Sequence, residues 1–373
     1  MIKVLFFIHD LMHGGAEKVL VNLVNNMDSD KFDITVMTLF NEGVHIKNLN
    51  PNITYKYVFR KSFRGNSKLL SIFSPKLLYK LFIKDEYDIA VSYLEGSCTR
   101  IISGADSKIK KIAWIHSCET KKEFYKCYKS HDETINLYKK LNKIICVSQG
   151  VKDNFINLSQ IKDNIRILYN TNESKKIINM SKEKINNKDF DENSSDIKIC
   201  AMGKILPNKG FMRLARVHKK LLDEGYNYHI YILGIGNQQS EIEEFLKKYN
   251  IDKNFTFLGY DENPYKYLNK SDLFICTSFA EGFSTAATEA LIVGTPVLTT
   301  DCAGMKEMLG ENNEYGIIVE NSEEGIYNGL KSILENKDIL KYYKRQAIER
   351  GKNFNTENTV KEVEEMLLEV YGG

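Results

Sequence analysis

The chain has 373 residues, 43% of them hydrophobic and 27% charged, with a formal net charge of +3. That length exceeds one ordinary hydrophobic core and suits two domains, and the composition is that of a soluble globular protein. The longest apolar runs, such as Val4–Ile8, are far short of a membrane span, and Met1–Asp10 lacks a cleavage site and reads as a first strand. The seven cysteines (98, 118, 127, 146, 200, 276 and 302) are dispersed, odd in number and without a CxxC pair. This argues against a disulfide framework or structural zinc and implies a reducing cytoplasm.

In chain order, Lys3–Ile8 predicts a strand and Ala16–Met27 an amphipathic helix with Val19, Leu20, Leu23, Val24 and Met27 on one face. Further strands are predicted at Asp33–Leu39, Asp88–Tyr93, Lys111–Ile115 and Lys143–Val147. Residues 173–196 are polar, poor in aromatics and read as a linker with a short helix in it. A second series follows, with strands at Ile197–Ala201, Tyr228–Leu233, Phe255–Leu258, Asp272–Cys276, Pro296–Thr299 and Gly316–Val319. The last stretch, Glu357–Tyr371, is helical. Repeated βα units imply an α/β chain with parallel, doubly wound sheets. The expected domains are 1–172 and 197–355, joined by 173–196 and followed by 356–373.

Between the strand at Asp272–Cys276 and a helix ending before Gly294 lies Glu281-Gly-Phe-Ser-Thr-Ala-Ala-Thr-Glu289. A strand-to-helix turn of this kind sits at the carboxyl edge of a sheet, where α/β folds bind ligands. Gly282 allows close backbone approach, and the first-turn amides of Phe283, Ser284 and Thr285 suit a phosphate or a hydroxyl-rich sugar. From spacing alone, Glu281 and Glu289 read equally well as helix-start and surface acids. The E-x7-E pattern, with glycine after the first glutamate and Gly294-Thr-Pro-Val-Leu beyond, resembles the donor-site signature of glycosyltransferase family 4, the retaining nucleotide-sugar transferases. The resemblance extends over nearly the whole chain. It implies the GT-B architecture, two Rossmann-like domains facing a cleft, with the C-terminal helix crossing back to the N-terminal domain. It also implies that Glu289 binds the ribose hydroxyls and Glu281 a hydroxyl of the donor sugar.

Four more stretches bear on chemistry. His13-Gly14-Gly15 precedes the first helix; such a pair can cradle a phosphate or simply make a tight turn. The resemblance puts it beside the donor diphosphate and the acceptor. Gly203-Lys-Ile-Leu-Pro-Asn-Lys-Gly210 follows a strand, and Lys204 and Lys209 either converge on a diphosphate or are solvated surface lysines. Many family members have Arg where Lys204 stands. No DxD pair precedes a suitable turn to demand a divalent metal, so catalysis is expected to need no metal, and no cofactor beyond the nucleotide-sugar substrate. Leu233-Gly-Ile-Gly-Asn237 lacks the third glycine of a dinucleotide fingerprint. The resemblance sets Gly234 beside the nucleotide and Leu258-Gly259 against the base through backbone groups, with UDP the commonest donor for such proteins. Trp114-Ile-His-Ser117 ends a strand, and the resemblance makes His116 the active-site histidine, catalytic with Glu281 and Lys209. Glu95 and Ser97 end another strand on the same rim and read either as acceptor contacts or as a surface loop; His13 is expected at the acceptor.

From Lys56 to Lys84 there are eight Lys or Arg and no Asp or Glu, interleaved with aromatic and aliphatic residues. Lys121–Lys143 adds seven lysines against three acids. Such a segment suits an anionic membrane surface or a solvated helix face; no nucleic-acid motif accompanies it. The expectation is a cytoplasmic enzyme, peripheral at the inner face of the membrane. It would move a sugar with retention from a UDP-sugar to a lipid-linked saccharide in capsule, exopolysaccharide or lipopolysaccharide assembly. The alternatives are a GT-B nucleotide-sugar epimerase, a soluble glycogen- or sucrose-type transferase, and a non-catalytic GT-B partner subunit.

Overall fold

A computed structural model describes all 373 residues and divides into two compact units, Met1–Asn172 with Thr356–Gly373, and Glu173–Asn355. The first unit holds a seven-stranded sheet built from β1 (Ile2–Ile8), β2 (Phe32–Phe40), β3 (Thr54–Phe59), β4 (Ile89–Ser92), β5 (Lys110–Ile115), β6 (Lys143–Cys146) and β7 (Ile165–Ile167). Its order is β3-β2-β1-β4-β5-β6-β7, with every pairing parallel. Helices cover both faces of a parallel sheet, so its central strands read as unbroken apolar runs; Val4–Ile8 is wholly buried.

The second unit has a six-stranded parallel sheet of β8 (Ile197–Met202), β9 (Tyr228–Leu233), β10 (Phe255–Gly259), β11 (Leu273–Cys276), β12 (Val297–Thr300) and β13 (Ile317–Val319). The order is β10-β9-β8-β11-β12-β13. In each sheet the order reverses once, between β1 and β4 and between β8 and β11. The crevice outside the carboxyl ends of such a strand pair is where open α/β sheets bind ligands.

Two edge strands, β3 and β7, were not among those expected. The start of the basic segment is therefore strand, and Lys56 on it pairs with Asp85. The stretch expected to be a linker, 173–196, instead packs on the second unit. Phe190 is buried against the rings of Tyr231 and Tyr267, and Asn263 Nδ2 donates to the Met180 carbonyl (2.9 Å) and to Glu183. Asn269 Nδ2 donates to the Ser181 carbonyl. Its polar composition masked the one aromatic that anchors it.

The final helix, Thr356–Gly372, belongs to the first unit. Val360, Val363, Met366, Leu367 and Val370 form its buried stripe. Thr356 Oγ1 donates to the Asn172 carbonyl (2.8 Å), Glu364 accepts from the Asp28 amide (2.7 Å), and Arg166 pairs with Glu369 (3.1 Å).

Candidate active site

The loops after β8 and β11 bring two of the expected donor residues, Lys209 and Glu281, together. Lys209 Nζ lies 2.7 Å from Glu281 Oε1, which also accepts from Ser278 Oγ at 2.5 Å. Burial pulls the Lys209 pKa down, but the Glu281 carboxylate outweighs it, and the ammonium is held above the usual lysine range. Beneath this pair, Arg213 is 3% exposed on the helix Phe211–Asp223. Its guanidinium donates twice to the Thr277 carbonyl (2.8 and 2.6 Å), to the Ser278 carbonyl (2.7 Å) and to Asn321 Oδ1 (2.8 Å). The Ser278 carbonyl also accepts from Thr300 Oγ1 (2.7 Å). Arg213 thus locks the end of β11, three residues before Glu281. Nothing in the motif marked Arg213; the one available signal was a charge amid Phe211, Met212, Leu214 and Ala215 on an otherwise apolar face.

Three of the expected glycines meet at the neighbouring edge. Gly203 donates its amide to Leu233 O (2.9 Å) and Gly234 to Gly259 O (2.8 Å). Gly234 has φ +144°, and a Cβ there would fall 1.9 Å from the Gly203 carbonyl oxygen, so that position needs glycine for backbone packing. Gly203 and Gly259 instead face open space. Leu258 is buried and Lys204 is exposed. At the helix Thr285–Val293, Ser284 caps the first turn, accepting from the Ala287 amide (3.3 Å), and Gly282 and Phe283 are buried. Glu289 lies one turn in, 2% exposed, with the Tyr265 hydroxyl 3.5 Å from its Oε1.

In the first unit, Glu95 and His116 end adjacent strands, β4 and β5. Glu95 Oε1 accepts from the amides of His116 (2.6 Å) and Ser117 (2.9 Å) and from Ser117 Oγ (3.2 Å). Burial raises the Glu95 pKa against those bonds, which lower it. Its carboxylate therefore grips the His116 loop, and Ser97 is buried at the start of the helix Ser97–Ile102. The His116 ring packs on Tyr93 (4.9 Å between centroids), and its Nε2 is buried with no hydrogen-bond partner. Burial lowers the His116 pKa to about 3, only partly countered by the Tyr93 backbone, so the imidazole is neutral at pH 7. Glu119, three residues on, is pushed up to about 8 by burial and by the carboxylates of Glu95 and Glu123. Gly14 caps the helix Gly15–Asn26, and the Glu17 carboxylate lies against it, closer than a Cβ there would allow. His13 is half-buried, its ring 6.4 Å from that of His45.

Two parallel sheets that each reverse order once, with a lysine–glutamate pair at one reversal, are the outline of a two-domain α/β transferase. The family models for Glycosyltransferase Family 4 and Glycosyl transferases group 1 match residues 13–171 and 182–351, respectively. The chain belongs to glycosyltransferase family 4. It is 27% identical over 98% of its length to a Campylobacter jejuni protein, of which it covers 99%, the N-acetylgalactosamine-N,N'-diacetylbacillosaminyl-diphospho-undecaprenol 4-alpha-N-acetylgalactosaminyltransferase. It is 24% identical over 60% of both chains to the Staphylococcus aureus capsular polysaccharide biosynthesis glycosyltransferase CapM. Among solved structures, Anabaena HepE in complex with UDP superposes with a TM-score of 0.78 at 16% identity, over 99% of this chain and 100% of that one. The fold is GT-B and the protein is a glycosyltransferase.

Proposed function

We propose that the protein transfers a sugar, with retention of anomeric configuration and without a metal, from a UDP-sugar to a lipid-linked saccharide in the assembly of a bacterial surface polysaccharide. The observation that carries this reading is the Lys209–Glu281 pair at the β8/β11 edge, beside the open backbone of Gly203 and Gly259. Lys209, joined by exposed Lys204, takes the donor diphosphate and stabilises the charge that grows on it as the glycosidic bond breaks. The amides of Ser284 and Thr285 add donors at a helix start, and Glu289 takes the ribose. The Campylobacter relative, which acts on a diphospho-undecaprenol saccharide, supports the lipid-linked acceptor, and HepE bound to UDP supports the base.

Lys209, Ser278 and Cys276 all contact the same oxygen of Glu281, Oε1, an arrangement suited to recognising a sugar hydroxyl rather than to attacking an anomeric carbon. The reading is therefore a front-face substitution. The acceptor oxygen bonds to the anomeric carbon, and the bond to the diphosphate breaks with its electron pair leaving on the diphosphate. That same leaving oxygen takes the acceptor's proton. Neutral His116 serves as a hydrogen-bond partner of the transferred sugar, and Glu95 sets its loop.

Incubation with a panel of UDP-sugars and an undecaprenyl-diphosphate saccharide, followed by mass spectrometry and NMR of the new linkage, tests the proposal. An EDTA-insensitive product with the donor's anomeric configuration is expected. An inverted linkage, or a sugar interconverted and released without any acceptor, as an epimerase would do, contradicts it.

A further inference from the structure

The basic stretch of the first unit folds into two short helices, Asn66–Ile72 and Pro75–Phe82, joined at Phe73 and Ser74. One side of this hairpin enters the core through Leu70, Leu78 and Tyr79. The other presents Phe63, Leu69, Ile72, Phe73, Leu77 and Leu81 to solvent, each between 38% and 65% exposed. Leu69 and Ile72 are spaced i,i+3, and Leu77 and Leu81 i,i+4, so each pair forms one outward stripe. Arg64, Lys68, Lys76, Lys80 and Lys84 are exposed alongside, with no acid in the hairpin. Isolated exposed leucines are ordinary, but a contiguous apolar stripe rimmed by one sign of charge marks an interaction surface.

The hairpin is held rigidly from below by buried Arg100, which is 1% exposed. Its guanidinium donates to the carbonyls of Leu70 (3.0 Å), Ser71 (3.3 Å) and Phe73 (2.8 Å), and pairs with Glu133 at 2.9 Å. Glu133 lies on the helix His131–Tyr138, within the second lysine-rich stretch. Two basic segments far apart in sequence are thereby clasped side by side on one unit.

We propose that this face docks on an anionic lipid bilayer, with Leu69, Ile72, Phe73, Leu77 and Leu81 entering the headgroup–acyl boundary, the lysines binding lipid phosphates, and Arg100 acting as the positioning clasp. The partner's chemistry follows from the surface. Four of these five side chains are aliphatic, which bury well in acyl chains but offer bases little to stack on. A second copy of this chain would set lysines against lysines across a two-fold axis. The proposal takes its purpose from the reading of a lipid-linked acceptor, but the docking is measurable with no sugar present.

The test is co-sedimentation of the full chain with sucrose-loaded vesicles of phosphatidylglycerol and phosphatidylcholine, and with phosphatidylcholine alone, at low and high salt. Binding is expected to need phosphatidylglycerol and to weaken with salt. Lys76→Glu with Lys80→Glu and Lys84→Glu should lower the partition constant by on the order of a hundredfold or more. Leu77→Asp with Leu81→Asp should do the same by at least about tenfold. Both sets lie on the surface, and an unchanged thermal shift with UDP would show that fold and donor site are intact. Equal binding to neutral vesicles, or vesicle binding that neither set of substitutions alters, overturns the proposal. So does loss of the Leu77- and Leu81-dependent behaviour to an RNA complex or a dimer in sedimentation velocity. Vesicle binding by a protein that transfers no sugar would leave the docking surface standing and sink the substrate reading instead.

Discussion

Replacing Arg213 with Met removes the guanidinium that ties the helix Phe211–Asp223 to the end of β11. The Ser278 carbonyl keeps Thr300 Oγ1, but the Thr277 carbonyl loses both of its bonds from Arg213, and Asn321 Oδ1 loses its donor. Hydrogen bonds to a charged group contribute about 1.5–3 kcal/mol each, and a buried acceptor left unmade costs about 1–3 kcal/mol. The gain in apolar packing from Met offsets part of this, so the second unit should lose about 3–5 kcal/mol. Arg213→Lys keeps the charge without the fork and should lose about half as much. The assay is hydrogen–deuterium exchange of peptides spanning 211–223 and 273–300, whose slowest amides report the opening of that unit. A loss under about 1 kcal/mol for Arg213→Met would refute the idea that Arg213 fixes the Glu281 loop. So would UDP affinity untouched in a variant that had lost that protection.

Lys209→Ala should weaken UDP binding about tenfold to a hundredfold, as expected for a charge-assisted contact, read by calorimetry. Glu281→Ala should lower turnover much more than nucleotide affinity in steady-state kinetics, since its partner is a hydroxyl of the transferred sugar. Gly234→Ala, which drives a Cβ into the Gly203 carbonyl, should destabilise the second unit by several kcal/mol, whereas Gly259→Ala, at φ +75° in open space, should cost about 1–2 kcal/mol; chemical denaturation followed by circular dichroism separates the two. Glu119, its pKa raised to about 8 in the fold, binds a proton more tightly folded than unfolded, so its contribution is complete below the ordinary glutamate range and is lost as pH climbs to about 8. His45 and His116, lowered to about 4 and about 3, act in the opposite sense only below pH 6.5. Between pH 6.5 and 8 the first unit should therefore lose stability with rising pH, as followed by the fluorescence of Trp114, the chain's single tryptophan, and Glu119→Gln should flatten that slope.

Much of the fold was legible because strands buried on both faces leave near-continuous apolar runs, as in Val4–Ile8 and Leu273–Cys276. The strands that escaped notice are edges. Thr54–Phe59 is half exposed and carries Lys56, so its composition merged with the basic run that follows, and Ile165–Ile167 is only three residues long. The site divides the same way. Lys209 and Glu281 were visible as charges on glycine-bearing turns, and their pairing follows from β8 and β11 being neighbours across the order reversal. Arg213, Ser278, Thr300 and Asn321 were invisible because their work is to hold backbone carbonyls and one another, which leaves no spacing signature. Glu95 was recognised as a rim residue, but that its carboxylate would close over the His116 and Ser117 amides depended on a register no linear pattern reveals.

The most direct test of the central claim, that the β8/β11 edge binds a nucleotide-sugar diphosphate through Lys209, is a thermal-shift panel of UDP, GDP, ADP and CMP, each with and without EDTA. The account predicts a rise selective for UDP, unaffected by EDTA and reduced by Lys209→Ala. No shift with any of the four, or a shift with UDP that is undiminished in the Lys209→Ala variant, would contradict it.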